Sequence, residues 1–333
     1  MPSIYAAMRS SLLVVTGDTG DWQIAERLTD HDLECVAVST AVPDRVFCGT
    51  FDAGLFRSDD GGDSFERVGT DVIEDAVMSL AISPHDPDEV WAGTEPSRIY
   101  RSTDGGSSWE EIPGLTDLPS ESEWYFPPRP HTHHVRWIEV DPHEPERLYV
   151  GIEAGALVLT DDAGETWHER PPGSRRDNHT LAVHADARGR VYSAAGDGYA
   201  ESQDGGETWA HPQDGLEHRY VWGLAVDAGD PDTVLVSSAS GAGSAHRAAS
   251  ADSYVYRRRD GGSWERLDDR GLPTGEGVIR AVLAPGDGAG EFYAANNRGL
   301  FRTADAGDSW ERLDVEWQEV FETQTARGMV VVG

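Results

Sequence analysis

Short apolar runs separated by polar turns repeat along the chain, and the pattern is clearest between residues 78 and 112. Met78–Ile82 is apolar, a turn rich in Pro and Asp follows at 83–88, and further runs occupy 89–93, 98–101 and 109–112. Short runs bounded by Pro, Gly and Asp are typical of antiparallel strands. The segment therefore predicts a four-stranded sheet, whose strands we call A, B, C and D.

The same order of runs recurs. Strand A is predicted at 35–38, 135–140, 180–183, 221–226 and 279–283, and strand B at 46–49, 148–151, 191–194, 234–237 and 292–295. The N-terminal segment supplies only B (4–8), C (12–15) and D (22–28), and the C-terminal run 328–332 can supply its missing strand A. Joining the two ends in one sheet would close a ring and remove an exposed edge.

We therefore predict an all-β, seven-bladed β-propeller of four-stranded antiparallel blades in a single domain, 1–333. The blades are expected at about 1–30 plus 315–333, 31–70, 71–114, 133–172, 173–214, 215–270 and 271–314, with inserts at 115–132 and 239–253.

A recurrent motif lies between predicted strands C and D. Its clearest copy is STDGGSSW at 102–109, with relatives at 58–65, 160–167, 202–209 and 303–310 and shorter copies at 16–22 and 258–264. A period of about 40–50 residues is typical of propellers. Asp and Ser/Thr side chains can bond the backbone of a tight turn, Gly tolerates positive φ, and Trp can pack between sheets. We interpret the motif aspartates as structural: Asp18, Asp60, Asp104, Asp162, Asp204, Asp260 and Asp305.

The motif resembles the Asp-box, or BNR, repeat of sialidases, of the sortilin family and of the photosystem II stability and assembly factor family. The resemblance implies a propeller with the box in the turn between the third and fourth strands of each blade. It does not imply an activity, because the box occurs in proteins of unrelated function. The N-terminal arginine motif of sialidases is absent and seven blades departs from their six, so we do not expect a sialidase.

The chain is very acidic. Its formal charge is −33, and all 27 of its Lys and Arg residues are arginine. Such a charge would make the protein repel itself in dilute buffer, whereas about 1 M salt shortens the screening length to roughly 3 Å. The composition therefore predicts a protein from a halophile, and it argues against nucleic-acid binding, which needs a basic surface.

Other features bear on the compartment. No apolar run approaches the roughly 20 residues of a membrane span, and the N-terminus has no basic leader. Cys35 and Cys48 lie in apolar strand patterns and are expected to be reduced thiols. We expect a cytoplasmic monomer without membrane insertion.

Both inserts are predicted on the same rim, because the connections from D to A and from B to C leave the same end of an antiparallel blade. Long loops on a rigid scaffold are where binding and chemistry usually occur. The entries to the A strands on this rim carry polar residues, so we expect a polar central funnel there.

Three chemistries could use this funnel. The first is one divalent transition metal, because imidazole suits Zn, Mn or Fe; the candidate ligands are His131, His133, His134 and His179, with Glu153 or Asp177. The second is acid–base hydrolysis of a glycoside, for which the candidate carboxylates are Glu153, Asp177 and Asp197. The third is the binding of a substrate carboxylate by three arginines, Arg136, Arg219 and Arg280.

The leading hypothesis is a soluble propeller that binds a small molecule, peptide or protein partner in its top funnel. The ligand-binding candidates are His131, His133, His134, Arg136, His179, Arg219 and Arg280. The alternative is a hydrolase, metal-assisted or acting on glycosides, that uses the same funnel.

Overall fold

Seven antiparallel sheets contain nearly all regular structure in the computed structural model, which describes residues 2–18 and 20–333. Blade 1 combines the C-terminal strand β28 (Ala326–Val332) with β1 (Ser3–Met8), β2 (Leu12–Asp18) and β3 (Asp21–Arg27). Blade 2 contains β4 (Leu33–Ser39), β5 (Val42–Thr50), β6 (Leu55–Ser58) and β7 (Glu66–Val68). Blade 3 contains β8 (Val77–Ile82), β9 (Val90–Thr94), β10 (Ile99–Ser102) and β11 (Glu110–Ile112).

The remaining blades follow the same order. Blade 4 contains β12 (Val135–Val140), β13 (Leu148–Ile152), β14 (Ala156–Thr160) and β15 (His168–Glu169). Blade 5 contains β16 (Asn178–Val183), β17 (Val191–Ala195) and β18 (Gly198–Ser202), and a bridge between Glu201 and Ala210 takes the fourth position. Blade 6 contains β19 (Tyr220–Asp227), β20 (Asp230–Ala239), β21 (Asp252–Arg258) and β22 (Glu265–Arg266), with β23 (Gly275–Glu276) added to β21. Blade 7 contains β24 (Val282–Pro285), β25 (Phe292–Asn296), β26 (Gly299–Thr303) and β27 (Glu311–Arg312).

The predicted fold class is confirmed, including the closure of the ring. The C-terminal β28 pairs with the N-terminal β1, and Ile4 lies opposite Val331. The first strand of each blade is the innermost one. We call the end of the ring at which these first strands begin the upper end, and the opposite end the lower end.

The helical segments are short and lie outside the sheets. They are the helix α1 (Ala242–His246) and 3₁₀ turns at Leu115–Asp117, Glu121–Glu123, Ala248–Ser250 and Glu319–Thr323. Within the described chain, no helix is long and apolar enough to cross a membrane.

One first strand begins later than predicted. Strand A of blade 7 was expected from 279, but β24 begins at Val282. The preceding backbone N–H groups are bonded elsewhere: that of Ile279 to Asn297 Oδ1, that of Arg280 to the carbonyl of Ala245, and that of Ala281 to Ser237 Oγ. These contacts take the place of the first hydrogen bonds that strand A would make with β25.

The recurrent motif forms the turns between the third and fourth strands at the lower end. In the copy at 102–109, the Asp104 carboxylate accepts hydrogen bonds from Ser102 Oγ (2.8 Å) and from the backbone and hydroxyl of Ser108 (2.8 and 2.6 Å). The Gly106 N–H donates to Ser102 Oγ at 2.8 Å, and Gly106 has a φ of +83°. Asp60, Asp162, Asp204 and Asp305 make equivalent bonds.

The two short copies differ. The side chain of Asp18 lies outside the described part of the chain. In the copy at 258–264, Arg258 replaces the Ser or Thr and donates from Nε to the carbonyl of Gly262 at 2.9 Å. Asp260 makes no side-chain hydrogen bond within the described residues, and its φ is +51°.

The motif aromatic side chains pack between neighbouring blades. Trp109 joins a cluster with Phe47 and Leu55 of blade 2 and Tyr100 of blade 3. Trp209, Trp264 and Trp310 lie in the corresponding clusters of later blades. Because each cluster draws on two adjacent blades, these contacts join the sheets into a ring.

Candidate functional site

In six of the seven blades, one residue near the start of the first strand has no partner in the neighbouring strand. In β4 the pairing with β5 passes from Leu33 to Cys35 and omits Glu34, and the same shift occurs in β8, β12, β16, β19 and β28. A bulge of this kind re-aims the side chain of the omitted residue. Since the first strand is innermost, each bulge brings one side chain to the centre of the upper end.

These residues form a ring around the central axis. The bulge ring, as we name it, comprises the six omitted residues and the equivalent residue of blade 7: Glu34, Met78, Arg136, His179, Trp222, Arg280 and Arg327. All except Arg327 are more than nine-tenths buried. Their contacts join side chains from different blades.

Two arginines stack on Trp222 from different blades. The guanidinium carbon of Arg280 lies 4.1 Å from the indole ring centre, and that of Arg136 lies 4.9 Å from it. The third arginine, Arg327, approaches Glu34 with Nη1 to Oε2 at 3.5 Å. Three guanidinium groups therefore lie together in the interior of a chain whose overall charge is −33.

The donors of this arginine cluster are only partly satisfied. Arg280 Nη1 donates to the carbonyl of Ala326 at 2.8 Å, and its Nε donates to His246 Nδ1 at 3.3 Å. Within the described chain, Arg280 Nη2 and the Nε atoms of Arg136 and Arg327 have no hydrogen-bond partner although they are buried. Burial, together with the charges of Arg136 and Arg327, lowers the pKa of Arg280 well below its ordinary value. Two buried carboxylates offset part of the charge, Glu34 at 3.5 Å from Arg327 and Glu153 at 3.8 Å from Arg136 Nε. The remaining unpartnered buried donors are costly, so the cluster still favours a further anion.

A buried histidine beside the cluster lies between two carboxylates. His134 Nδ1 is 3.3 Å from Glu95 Oε2, and His134 Nε2 is 3.0 Å from Glu153 Oε2. Burial lowers the pKa of His134, but the two carboxylates raise it by more. Burial raises the pKa of Glu95, but His134 and Arg129 lower it by more, so that the pKa falls to about 2. The arrangement stabilises a protonated imidazole between two ionised carboxylates.

Glu153 also belongs to a second group, with Asp177 and His179. One ligand atom from each of the three residues lies within 4.8 Å of the others. His179 Nδ1 is 2.7 Å from the carbonyl of Val221, and His179 Nε2 is 3.7 Å from Asp177 Oδ1. The predicted candidates Glu153, Asp177 and His179 therefore come together, and His134 contacts them through Glu153.

Both inserts cover this end of the ring. From the first, the Phe126 ring packs edge-on against His134 at 4.7 Å, and Arg129 binds both carboxylate oxygens of Glu95 at 2.6 and 2.5 Å. From the second, the His246 ring packs against Trp222 at 4.3 Å. His134, Arg136, Glu153, His179 and Arg280, which were expected to line a funnel, are therefore buried beneath the inserts.

A cavity extends from the bulge ring towards the lower end. It has a volume of about 470 Å³, and its blind upper end is formed by Glu34, Arg136 and Arg327. Apolar side chains of the first strands form most of its wall, including Val36, Leu80, Ile138, Val183 and Met329. Its lower end is lined by the exposed turn residues Thr40, Pro84 and Ala185, so the cavity opens there.

Glu139 is the ionisable residue in the middle of the cavity wall. Its Oε2 accepts a hydrogen bond from Trp137 Nε1 at 2.9 Å. Burial raises the pKa of Glu139 to about 7, although the Trp137 hydrogen bond lowers it.

Four predicted site residues lie outside this centre. His131 is exposed, and His133 contacts Glu121 at 3.3 Å and the edge of Trp124. Arg219 is exposed and donates to the carbonyl of Leu216, while the half-exposed Asp197 lies 3.5 Å from Arg175. The third arginine of the cluster is consequently Arg327 rather than Arg219.

Sequence reasoning missed Glu34, Trp222 and Arg327. The closing strand was predicted at 328–332, but β28 begins at Ala326 and so includes Arg327. Aligning the strands would have matched Val135-Arg136 with Ile279-Arg280 and Ala326-Arg327. The available signal was therefore an arginine that directly follows an apolar residue at the same point of three blades.

Comparison with known proteins bears on the fold. No family model matches the sequence, and no curated protein matches it. Among solved structures, an ancestral GH74 enzyme matches 86% of this chain with a TM-score of 0.66 and 14% identity, and the GH74 enzyme of Niastella koreensis matches 94% with a TM-score of 0.64 and 16% identity. The chain spans 39% and 52% of those two proteins.

A third similar structure is of comparable length. YCF48 bound to D1 peptide matches 96% of this chain and 99% of its own, with a TM-score of 0.64 and 18% identity. At these identities the likeness shows the fold alone. This chain therefore shares the β-propeller fold with these proteins, and its function must be argued from its own residues.

Proposed function

We propose that this chain is a binding propeller whose central cavity receives an apolar peptide segment that ends in a free carboxylate. The observation that carries the proposal is the composition of the cavity: apolar walls lead to a blind end at which buried N–H groups of Arg136 and Arg327 lack partners. A volume of about 470 Å³ lies within the range of ligand pockets, about 300–1,000 Å³.

The chemistry of both ends of such a ligand matches the cavity. Guanidinium groups bind carboxylates through paired charge-assisted hydrogen bonds, and they do so most strongly away from water. Val36, Leu80 and Ile138 would cover the apolar side chains that precede the carboxylate. The similarity to YCF48 bound to D1 peptide, along nearly the whole of both chains, supports a peptide rather than another amphiphile.

A hydrolytic function has less support. Glu153 is more than nine-tenths buried and is already engaged by His134, and Asp197 is paired with Arg175 outside the centre. Glycoside hydrolysis needs two carboxylates with space for a sugar between them. The inserts that pack on His134 and Trp222 occupy the region above this group.

We also infer that the turns at Asp60, Asp104, Asp162, Asp204 and Asp305 are Asp boxes, because they share one set of hydrogen bonds. The acidic surface is, by the same proposal, an adaptation to high salt in a cytoplasmic protein.

The binding proposal is tested with apolar tetrapeptides that carry either a free C-terminal carboxylate or an amide. Binding is measured by fluorescence anisotropy in about 1 M salt, where surface charges are screened. We expect the carboxylate form to bind more tightly, and Arg327→Gln to weaken its binding about 30-fold or more, since loss of a buried charge contact costs about 2 kcal/mol or more.

The matched control is Arg219→Gln, which removes an exposed arginine outside the cavity. It should bind the peptides as the unchanged protein does. Equal binding of carboxylate and amide peptides, or an equal loss in both variants, would contradict the proposal.

A further inference from the structure

We propose that Glu153, Asp177 and His179 form a binding site for one divalent transition-metal ion, Zn²⁺ or Mn²⁺, at the upper end of the ring. The site is separate from the arginine cavity in its ligands, and the proposal does not depend on peptide binding.

The tautomer of His179 is determined by its backbone contact. A carbonyl oxygen can only accept a hydrogen bond, so the 2.7 Å contact with Val221 requires the proton on His179 Nδ1. The Nε2 atom of the neutral ring then presents a lone pair towards the two carboxylates. A backbone carbonyl that binds one ring nitrogen and leaves the other for a metal is a common arrangement in metal sites.

His179 Nε2 has no other partner. His179 is fully buried, and within the described residues Nε2 makes no hydrogen bond. The 3.7 Å separation from Asp177 Oδ1 is too long for a hydrogen bond from a protonated ring. Three acceptor atoms therefore face one another, and a cation between them would satisfy all three.

The separations suit metal ligation after a small adjustment. Metal–ligand bonds of about 2.1 Å in tetrahedral geometry place ligand atoms about 3.4 Å apart. The three ligand atoms here lie within 4.8 Å of one another, and His179 Nε2 is 3.7 Å from Asp177 Oδ1. Rotation of the two carboxylates can close the remaining gap.

The surrounding residues hold the ligands in position. The His179 ring stacks on Trp222 at 4.2 Å. The backbone N–H of Ala154 donates to Asp177 Oδ1 at 2.8 Å, and His134 holds Glu153. At Gly196, an added Cβ would lie only 1.9 Å from Asp177 Oδ2, so the glycine makes room for that carboxylate.

The ligand set indicates the class of metal. One imidazole and two carboxylates suit Zn²⁺, Mn²⁺ or Fe²⁺ better than Ca²⁺ or Mg²⁺, which prefer oxygen alone. Three protein ligands leave at least one coordination position open. The Asp177 side chain is 32% exposed, which provides a route for the ion from solvent.

The test is equilibrium dialysis of chelator-treated protein against Zn²⁺ and, separately, Mn²⁺, followed by elemental analysis. High salt and millimolar Mg²⁺ are included to occupy the many surface carboxylates. We expect about one ion per chain, and a loss of affinity of more than 10-fold in Asp177→Asn, because loss of an outer partner alone typically costs 10- to 100-fold.

Two further variants make the result specific. Gly196→Ala should also weaken binding, because it displaces the Asp177 carboxylate without removing a ligand. Asp197→Asn removes a nearby carboxylate outside the group and should bind as the unchanged protein does. If neither ion binds at about one per chain, or if Asp197→Asn loses as much as a folded Asp177→Asn, the site does not exist.

Discussion

Replacing Arg280 by methionine should stabilise the free protein. Arg280 is fully buried, and its hydrogen bonds go to the carbonyl of Ala326 and to neutral His246 rather than to a carboxylate. Burial and the charge of Arg280 lower the pKa of His246 to about 2, so that ring does not add a second positive charge. The guanidinium is thus a buried charge that no counter-ion within hydrogen-bond reach offsets.

The change in the free energy of unfolding caused by Arg280→Met is the sum of opposing contributions. Burying an ion costs several kcal/mol after relaxation, and removing Arg280 recovers that cost. Two hydrogen bonds of about 1 kcal/mol each are lost, and their acceptors remain buried. Methionine fills most of the vacated volume and retains contact with Trp222. We expect the free energy of unfolding to rise by about 1–3 kcal/mol.

The assay is urea unfolding at constant high salt, with Arg258→Met as the matched control. Arg258 is also buried, but it pairs with the buried Glu201 at 2.7 Å. Its replacement leaves the buried Glu201 with only the Tyr199 hydroxyl at 2.9 Å and the more distant Arg190 at 4.0 Å, and should cost about 3–5 kcal/mol. If Arg280→Met lost stability as Arg258→Met does, the charge of Arg280 would be compensated in the folded protein, and the case for an anion site would fail.

Two further predictions concern salt and pH. The free energy of unfolding should rise as salt increases from near zero to about 1 M, because repulsion between surface carboxylates is screened; a melting temperature that does not change with salt would refute the halophile interpretation. Burial raises the pKa of Glu139 to about 7, above its ordinary value of 4.5. The folded protein should therefore lose stability as the pH rises from about 4.5 to 7, and Glu139→Gln should remove that loss. If the unchanged protein and Glu139→Gln lost the same free energy of unfolding between pH 5 and pH 8, this assignment would be wrong.

The blades were predictable because their signals are local. The copy at 102–109 contains every side chain that its turn uses, and the apolar runs around it specify the strands. Closure was predictable for a different reason. The N-terminal segment supplies only three of the four strands of its blade, and an apolar run at the C-terminus was still unassigned.

The site was harder to predict because it depends on where each ladder shifts. His133 and His134 are adjacent in sequence, yet only His134 reaches Glu153; His133 contacts Glu121. Likewise, Arg219 and Trp222 lie close together in sequence, but the bulge in β19 directs Trp222 rather than Arg219 to the centre. Counting polar residues at a strand entry could not distinguish them, because a shift of one residue decides which side chain faces the axis.

The bulge ring would allow such an acidic chain to bind the proposed anion. In dilute buffer a net charge of −33 repels acidic ligands over long distances, but about 1 M salt limits that repulsion to roughly 3 Å. Arg136 and Arg280 are buried against Trp222, so salt screens their short-range attraction much less than it screens surface charges. Each blade also contributes its ring residue from a bulge rather than from the ladder. The chemistry of the centre can therefore change one residue at a time while the packing between the blades is conserved.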